Sequence, residues 1–387
     1  MYPKLFQRGV FALILLPGCI AVLGTLLSLL ESEIWWVRMW DFPRYQLCVM
    51  ALTSLLGCVI FMGWIRLEKK LRHWVAFALF GLTALFQAYR IFPYTPLADE
   101  MSVATPSSMQ EGSATISIMV SNVYTHNRKY GEAIRLVDER APDVVLFLET
   151  DEAWALALDA LRAQGYEKVV NVPLNNTYGM MLFSKLKMEQ VEVRYLMQED
   201  IPSVRAIVRL KNGKKVRFYG LHPRPPAPTE SKSSLPRDAE LVAVAEEVRS
   251  APEQLPVLVA GDMNDVAWLR TSRLFLEISQ MLDPRRGRGL INSFPTWMPI
   301  LRVPLDHVFH SPHFTINKLE RLPSISSDHF PIMVSLTLRE EEHGEENALD
   351  VDEEDIEQAN DKLREAEESK RAGEFDPPTP AKDMTVD

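Results

Sequence analysis

Cysteine is almost missing from this 387-residue chain: Cys19, Cys48 and Cys58 are the only three, and none follows them. The long remainder therefore has neither a disulfide framework nor a cysteine-based zinc site. Surplus positive charge is missing too. The 42 Lys and Arg face 52 Asp and Glu, a formal net charge of -10. That balance excludes the broad basic footprint through which phosphate neutralisation drives nucleic-acid binding, although a local groove remains open. Internal repeats are also lacking, which excludes solenoid and propeller architectures.

The charge is unevenly spread. Residues 340–387 hold 19 acidic and 5 basic side chains, residues 1–94 hold 9 basic and 4 acidic, and the stretch between them nets only -1. These three parts read as different materials, with enough apolar residues in the middle for one large packed domain.

The first part reads as a membrane anchor over residues 1–92. The runs 9–30, 46–65 and 73–89 contain no Asp, Glu, Lys or Arg and are about long enough to cross a hydrocarbon core. A cleaved signal peptide is the alternative for the first run, but two more spans follow at once. Trp35, Trp36 and Trp40 cluster in the first loop, as indoles at a membrane–water boundary do. The second loop, RLEKKLR (66–72), and the N-terminal Lys4 and Arg8 are basic. The positive-inside rule places them in the cytoplasm, which puts everything beyond the third span on the far side. The expected location is a bacterial inner membrane, multi-pass, with the large domain periplasmic.

Residues 93–113 are rich in Pro, Ser and small side chains and read as a linker. The acidic tail 340–387 is poor in apolar residues, so a disordered, solvated segment is expected, with a helix from Asp355 to Arg371 as the alternative. Between them, 114–339 alternates strand and helix patterns. TISIMVSNV (115–123) and DVVLFLET (143–150) read as buried strands around an amphipathic helix at 130–141. SVRAIVRL and KVRFYGLH flank Lys-Asn-Gly-Lys, where Asn212-Gly213 can supply the positive φ angles of a hairpin turn. A helix within 235–249 follows, then strands at 256–262, 305–311 and 330–338. Hairpins mixed with helices argue for packed sheets flanked by helices.

Polar residues recur where apolar runs end: Asn122, Glu149, His222, Asp262 and Asn264. Asp306 opens a strand, and Asp328-His329 precedes the last one. Singly, each has a local explanation as a cap or Asx turn. Strand ends gathered at one edge of stacked sheets would bring them into one cleft.

The ordered set Asn, Glu, His, Gly-Asp-x-Asn, Asp-His and Ser-Asp-His, over about residues 115–338, resembles the endonuclease/exonuclease/phosphatase superfamily. GDMN (261–264) and SSDHFPI (326–332) are the most specific pieces, and HPRPP (222–226) with the membrane layout is similar to a bacterial membrane-anchored branch. The resemblance implies a DNase I-like four-layered α/β/β/α sandwich behind the three spans, and a Mg2+-dependent phosphoric ester hydrolase, with Mn2+ as the alternative ion. It implies Glu149 as metal ligand, Asn122 beside it and Asp328 in the ion's outer shell. A hard cation with few carboxylates and substrate phosphate oxygens suits such residues. By the same resemblance, Asp262 deprotonates the attacking water, Asn264 and His222 donate to the phosphate, and His329, held by Asp306, donates to the developing charge. His307, His310 and His313 have no counterpart role, and their spacing is not that of a helical zinc pair.

The near-neutral middle part and its place beside a lipid surface favour a phosphodiesterase or phosphatase acting on an extracytoplasmic phosphoester such as a lipid headgroup. An extracytoplasmic nuclease is the second reading, and a catalytically silent membrane-tethered binding module the third. The expected partners are thus the phosphoester, lipid or nucleic acid, and the bilayer, with no obligate protein partner. SFPTW (293–297) and MPILRVP (298–304) read as an exposed aromatic loop beside the cleft, with no role assigned.

Overall fold

The computed structural model describes residues 4–65, 71–109, 112, 114–253, 255–339 and 347–375. Most of the basic 66–72 loop, on which the expected orientation rests, lies outside the described residues, as do 340–346 and 376–387 of the tail.

Three long apolar helices lead the chain: α1 (Lys4–Ser28), α3 (Arg44–Ile65) and α4 (Leu71–Ile91), with a single turn, α2 (Trp35–Arg38), between the first two. Each long helix contains a stretch with the length and composition of a membrane span, at Gly9–Ser28, Arg44–Phe61 and His73–Tyr94. Ala21, Leu47, Ala51 and Ala84 let them pack closely, and polar side chains tie them, as where Gln87 Nε2 donates to Thr25 Oγ1 at 2.7 Å. The three tryptophans of the first loop divide their roles. Trp40 packs on the bundle core, the Trp35 backbone N–H donates to Lys232 O, and Trp36 is exposed.

The large domain consists of strands β1 (Thr115–Asn122), β2 (Val144–Leu148), β3 (Glu167–Val172), β4 (Met180–Ser184), β5 (Met188–Arg194), β6 (Ser203–Arg209), β7 (Lys215–Leu221), β8 (Val257–Asp262), β9 (Asp306–His310), β10 (Phe314–Arg321) and β11 (Ile332–Leu338). Its helices are α5 (Tyr130–Arg140), α6 (Glu152–Ala157), α7 (Leu235–Ser250), α8 (Arg270–Ser279) and α9 (Glu353–Ala372). One sheet runs β10-β11-β1-β2-β4-β3 and the other β5-β6-β7-β8-β9. Both are mixed: β1/β2 and β7/β8 are parallel, and the remaining neighbours antiparallel.

The inner faces meet in one apolar core, with Ile118, Val120, Leu146 and Leu148 on one side and Val208, Phe218, Leu258 and Ala260 on the other. Met119, Val145 and Phe147 face outward but are buried by α5 and α6, while Tyr219, Val259 and Phe309 are covered by α7 and α8. Burial on both faces explains why the central strands are continuous apolar runs without alternation. The result is the expected four-layered α/β/β/α sandwich.

Three local expectations change. In the 210–214 turn only Gly213 has positive φ, at 84°. Gly213 N–H donates to Leu210 O and Leu210 N–H to Lys214 O. This is a type I turn closed by a left-handed glycine, in which Asn212 needs no unusual φ. The 93–113 segment is not a free linker. Met101 and Ser102 are buried, Ala104 bridges to Ile316, and Ser102 Oγ lies 2.7 Å from His310 Nε2. It covers the edge strand β10, whose unpaired backbone would otherwise be open.

The tail also departs from the solvated expectation. Asp352 caps α9 through a reciprocal capping box with Asp355. Ile356, Ala359, Leu363 and Ala366 form a helical stripe, and the two alanines are buried against the neighbourhood of α7 and α8. The high overall acidity hides this narrow face, because the charges occupy the other sides of the helix. Deleting residues 347–387 should therefore cost about 3 kcal/mol, from four partly or wholly buried side chains. For a domain of this size that is roughly 6–12 °C in Tm. A thermal melt of the truncated protein within about 2 °C of the full chain would remove α9 from the folded core.

Candidate active site

Strand register alone draws the polar residues together. β1 and β2 run side by side with Asn122 opposite Leu148, so Glu149, the next residue, falls beside Asn122. β7 and β8 are parallel with Leu221 opposite Gly261, which sets His222 next to Asp262. Asp306 is directly opposite Asp262 across the antiparallel β8/β9 pair. β11 begins opposite Val120, and Asp328-His329 lies just before it. All eight residues expected from the sequence thus lie at one end of the two sheets.

Local backbone sharpens the placement. Gly261 has φ 155°, and a Cβ there would lie 1.9 Å from Leu221 O and 2.8 Å from Leu221 C. Only glycine lets β7 and β8 stay close enough to set His222 against Asp262. Glu149 (φ 60°), Tyr124 (φ 59°) and Asn264 (φ 48°) take the left-handed region, an uncommon conformation for side-chain-bearing residues. Each turns the chain sharply at a strand end.

A chain of hydrogen bonds runs through the cleft. The Asn122 amide donates to Glu149 Oε1 at 2.9 Å and to Asp262 Oδ2 at 3.1 Å, while its Oδ1 accepts from Tyr124 N–H at 3.0 Å. Glu149 Oε2 accepts from Thr125 N–H at 3.3 Å. His329 Nδ1 donates to Asp306 Oδ2 at 2.9 Å and lies 3.6 Å from Asp262 Oδ2. Asp262 Oδ1 accepts from Asn264 N–H at 3.0 Å, and His222 Nε2 is 4.0 Å from Asp262 Oδ2. The Asn264 amide donates to Pro223 O at 3.0 Å.

Burial makes these groups electrostatically sensitive. Glu149 is pushed up to about 7, first by burial and then by the charge of Asp328, against the pull of Asn122 and His329. Burial also raises Asp262, with Asp306 adding to the rise and His329 opposing it. Burial would lower His329, but the Asp306 and Asp262 carboxylates outweigh it and hold the ring up to about 10. His222 goes the other way, down to about 4 through burial, so at neutral pH it is an uncharged ring. Its Nδ1 is buried with no hydrogen-bond partner among the described residues.

Two groupings here have the make-up of a cation site. Asp262, Asp306 and His329 offer ligand atoms within 4.8 Å of one another, yet a ring proton held between two carboxylates already explains that closeness. Glu149 and Asp328, with Asn122 beside them, form the better fit for a hard divalent ion. Both are oxygen donors, and a cation would offset the burial and the Asp328 charge that raise Glu149.

Several residues that the sequence reading left out support the cleft. Ser327 Oγ donates to Asn122 O at 2.8 Å and accepts from His329 N–H at 3.1 Å. Ser293 Oγ accepts from the N–H groups of Leu305 and Asp306, each at 3.2 Å. Phe294 stacks on the His329 ring with centroids 4.7 Å apart. Ser327 lay within the quoted SSDHFPI, and Ser293 and Phe294 within SFPTW, a loop read as beside the cleft but given no role.

Other candidates fall outside the site. His307 Nδ1 lies 2.6 Å from Arg285 Nη2 and its Nε2 2.8 Å from Asp265 O, and His310 binds Ser102; both are buried structural residues. Arg224, within HPRPP, is buried and paired with Asp200 at 2.5 Å, a structural role as well.

The model of the Endonuclease/Exonuclease/phosphatase family matches residues 119–329. Solved structures similar to this chain include humanized D. rerio TDP2, 18% identical, covering 58% of this chain and 100% of its own, with a TM-score of 0.47. Another is an endonuclease/exonuclease/phosphatase from Beutenbergia cavernae DSM 12333, 17% identical, covering 58% and 72%, with a TM-score of 0.46. A third is the mannosyl-6-phosphatase Bt3783 of Bacteroides thetaiotaomicron VPI-5482, 17% identical, covering 58% and 100%, with a TM-score of 0.44. No curated protein matches this chain. With the matched span reaching from β1 to His329 and enclosing every residue of the cleft, the chain belongs to the endonuclease/exonuclease/phosphatase family.

Proposed function

We propose that this chain is a membrane-anchored, divalent-metal-dependent phosphoesterase, a phosphodiesterase or phosphatase, with its cleft on the extracytoplasmic side. The observation that carries the reading is that the hydrogen-bonded series Glu149–Asn122–Asp262 meets the His329–Asp306 pair across a 3.6 Å ion-pair contact. It joins an oxygen-rich cation site to a carboxylate base and a protonated imidazole.

Glu149, with Asn122 and Asp328, would hold magnesium or manganese, which when bound would supply Lewis-acid polarisation of a phosphoryl oxygen. Asp262 accepts the proton of the attacking water, and its position is fixed by the Asn122 amide and the Asn264 backbone. His329, kept cationic by Asp306 and Asp262, donates to the phosphoryl oxygen that gains charge. Asn264 uses its second amide hydrogen and neutral His222 one ring N–H toward the same oxygens. Asp306 touches no reacting atom in this scheme; it positions His329.

The first loop packs on the domain: Trp268 Nε1 donates to Asp41 O at 2.9 Å, and Ile34 bridges to Ser233. Read as spans, the three helices put that loop and the domain on a common side, and the positive-inside rule assigns which side that is.

Full-length protein in detergent should release p-nitrophenol from bis-p-nitrophenyl phosphate with added Mg2+ or Mn2+ and lose that activity in EDTA. Metal-independent turnover, or none with either ion, would remove the reading. Efficient nicking of plasmid DNA without turnover of the small diester would favour the nuclease instead. Alkaline phosphatase fused to the C-terminus should be active in cells, and silence there would reverse the orientation.

A further inference from the structure

The loop that the sequence singled out as exposed and aromatic has two ends with different neighbours. At its base, Phe294 stacks on His329. Thr296 N–H donates to Asp328 O, and Thr296 Oγ1 donates to Ser327 O, both at 2.8 Å. The base is therefore a wall of the cleft. At its tip, Ile300 O accepts from Gln46 Nε2 at 2.8 Å, and Gln46 lies in the first turn of α3, at the start of a candidate membrane span.

Between these points the apolar side chains face outward: Trp297 is 67% exposed, Ile300 79% and Leu301 46%. Three large apolar side chains together at a tip are costly in water and suit the bilayer interface, where an indole favours the headgroup boundary. Beside them, Arg302 and Arg321 flank the Phe330 ring at 4.8 and 4.6 Å. They add positive charge where an anionic leaflet would lie.

We propose that Trp297, Ile300 and Leu301 insert into the leaflet in which α3 begins and hold the cleft at headgroup height, so that the substrate is the phosphoester of a lipid in that leaflet. This rests on the reading of the cleft as a phosphoesterase and of the long helices as spans. A span start fixes the depth of whatever touches it, and Gln46 touches the tip directly. The distance from tip to chemistry is bridged by seven residues, Phe294 to Ile300. A headgroup beside the loop would thus meet His329 without leaving the membrane, and a soluble substrate would gain nothing from the apolar tip.

The test uses the full chain in nanodiscs of phosphatidylethanolamine and phosphatidylglycerol with brominated acyl chains. The fluorescence difference between the wild type and Trp297→Phe isolates one indole. That difference should be quenched by the brominated lipids; an unquenched, water-exposed signal overturns the placement of the loop. In parallel, the triple variant Trp297→Ser, Ile300→Ser, Leu301→Ser should lose about tenfold or more in hydrolysis of the nanodisc lipids while bis-p-nitrophenyl phosphate turnover stays within about twofold. Quenching of Trp297 with hydrolysis of the soluble diester but of no nanodisc lipid overturns the substrate class. Failure of all hydrolysis, by contrast, strikes the catalytic reading, and quenching still decides where the loop sits.

Discussion

Asp262→Asn should reduce turnover by about 10²- to 10⁴-fold, the range expected when a positioned general base is removed. The substitution keeps the shape of the side chain and one oxygen to accept from Asn264 N–H, so the melting temperature should change little. The Asn122 amide that now donates to Asp262 Oδ2 loses that acceptor but keeps Glu149 Oε1. Glu149→Gln should behave differently. It weakens the hold on the divalent ion, so raising Mg2+ should restore part of the activity, whereas no concentration of metal should rescue Asp262→Asn. Kinetics and melting of both variants across a magnesium titration separate the roles. If Asp262 were only a turn-forming residue, its variant would lose about 1 kcal/mol of stability and keep near-normal turnover in the folded fraction. That outcome would refute the mechanism.

The degree to which this site could be read in advance follows from how it is built. β1, β2 and β8 are buried on both faces, so they appear as apolar runs that stop at a functional residue, and their ends are visible as Asn122, Glu149 and Asp262. The edge strands β5 and β10 were not visible. MEQVEVR in β5 is largely exposed, and NKLER at the end of β10 lies beyond a register shift, so neither carries the signal of a strand. The helix α9 was open as the alternative from Asp355 to Arg371, but its packing was hidden: a stripe of two alanines, an isoleucine and a leucine is faint against a strongly acidic background.

Within the site, residue types and order could be read in sequence, but protonation could not. That His329 is a cation depends on its distances to Asp306 and Asp262, and that His222 is a neutral ring depends on its burial, and only the packed sheets set either. The anchor is similar. Three candidate spans are plain from hydropathy, whereas the docking of the first loop rests on single contacts, Trp268 Nε1 to Asp41 O and the Ile34/Ser233 bridge, which leave no trace in composition.

Asp306→Asn tests the same electrostatics from the side of the positioning residue. Two carboxylates stand directly opposite each other in the β8/β9 pair, an arrangement that like charge disfavours, and His329 sits between them as the compensating cation. Burial alone would strip the ring of its proton; Asp306, through charge and a 2.9 Å hydrogen bond, is the first contributor that prevents it. With Asn at 306 only Asp262 remains close enough to oppose burial strongly, so the ring should titrate below its present value of about 10. A donor that must be protonated is lost as pH rises through its own pKa, so the alkaline limb of the turnover profile should move to lower pH by at least about one unit, as loss of a charged partner implies. At the optimum, kcat should fall by about 10²-fold or more with little change in KM, because the donor acts on charge that develops only in the transition state. A merely structural Asp306 would lower stability and the active fraction at every pH, leaving the limb in place. A profile of unchanged shape in a folded Asp306→Asn protein would therefore separate Asp306 from the chemistry of His329.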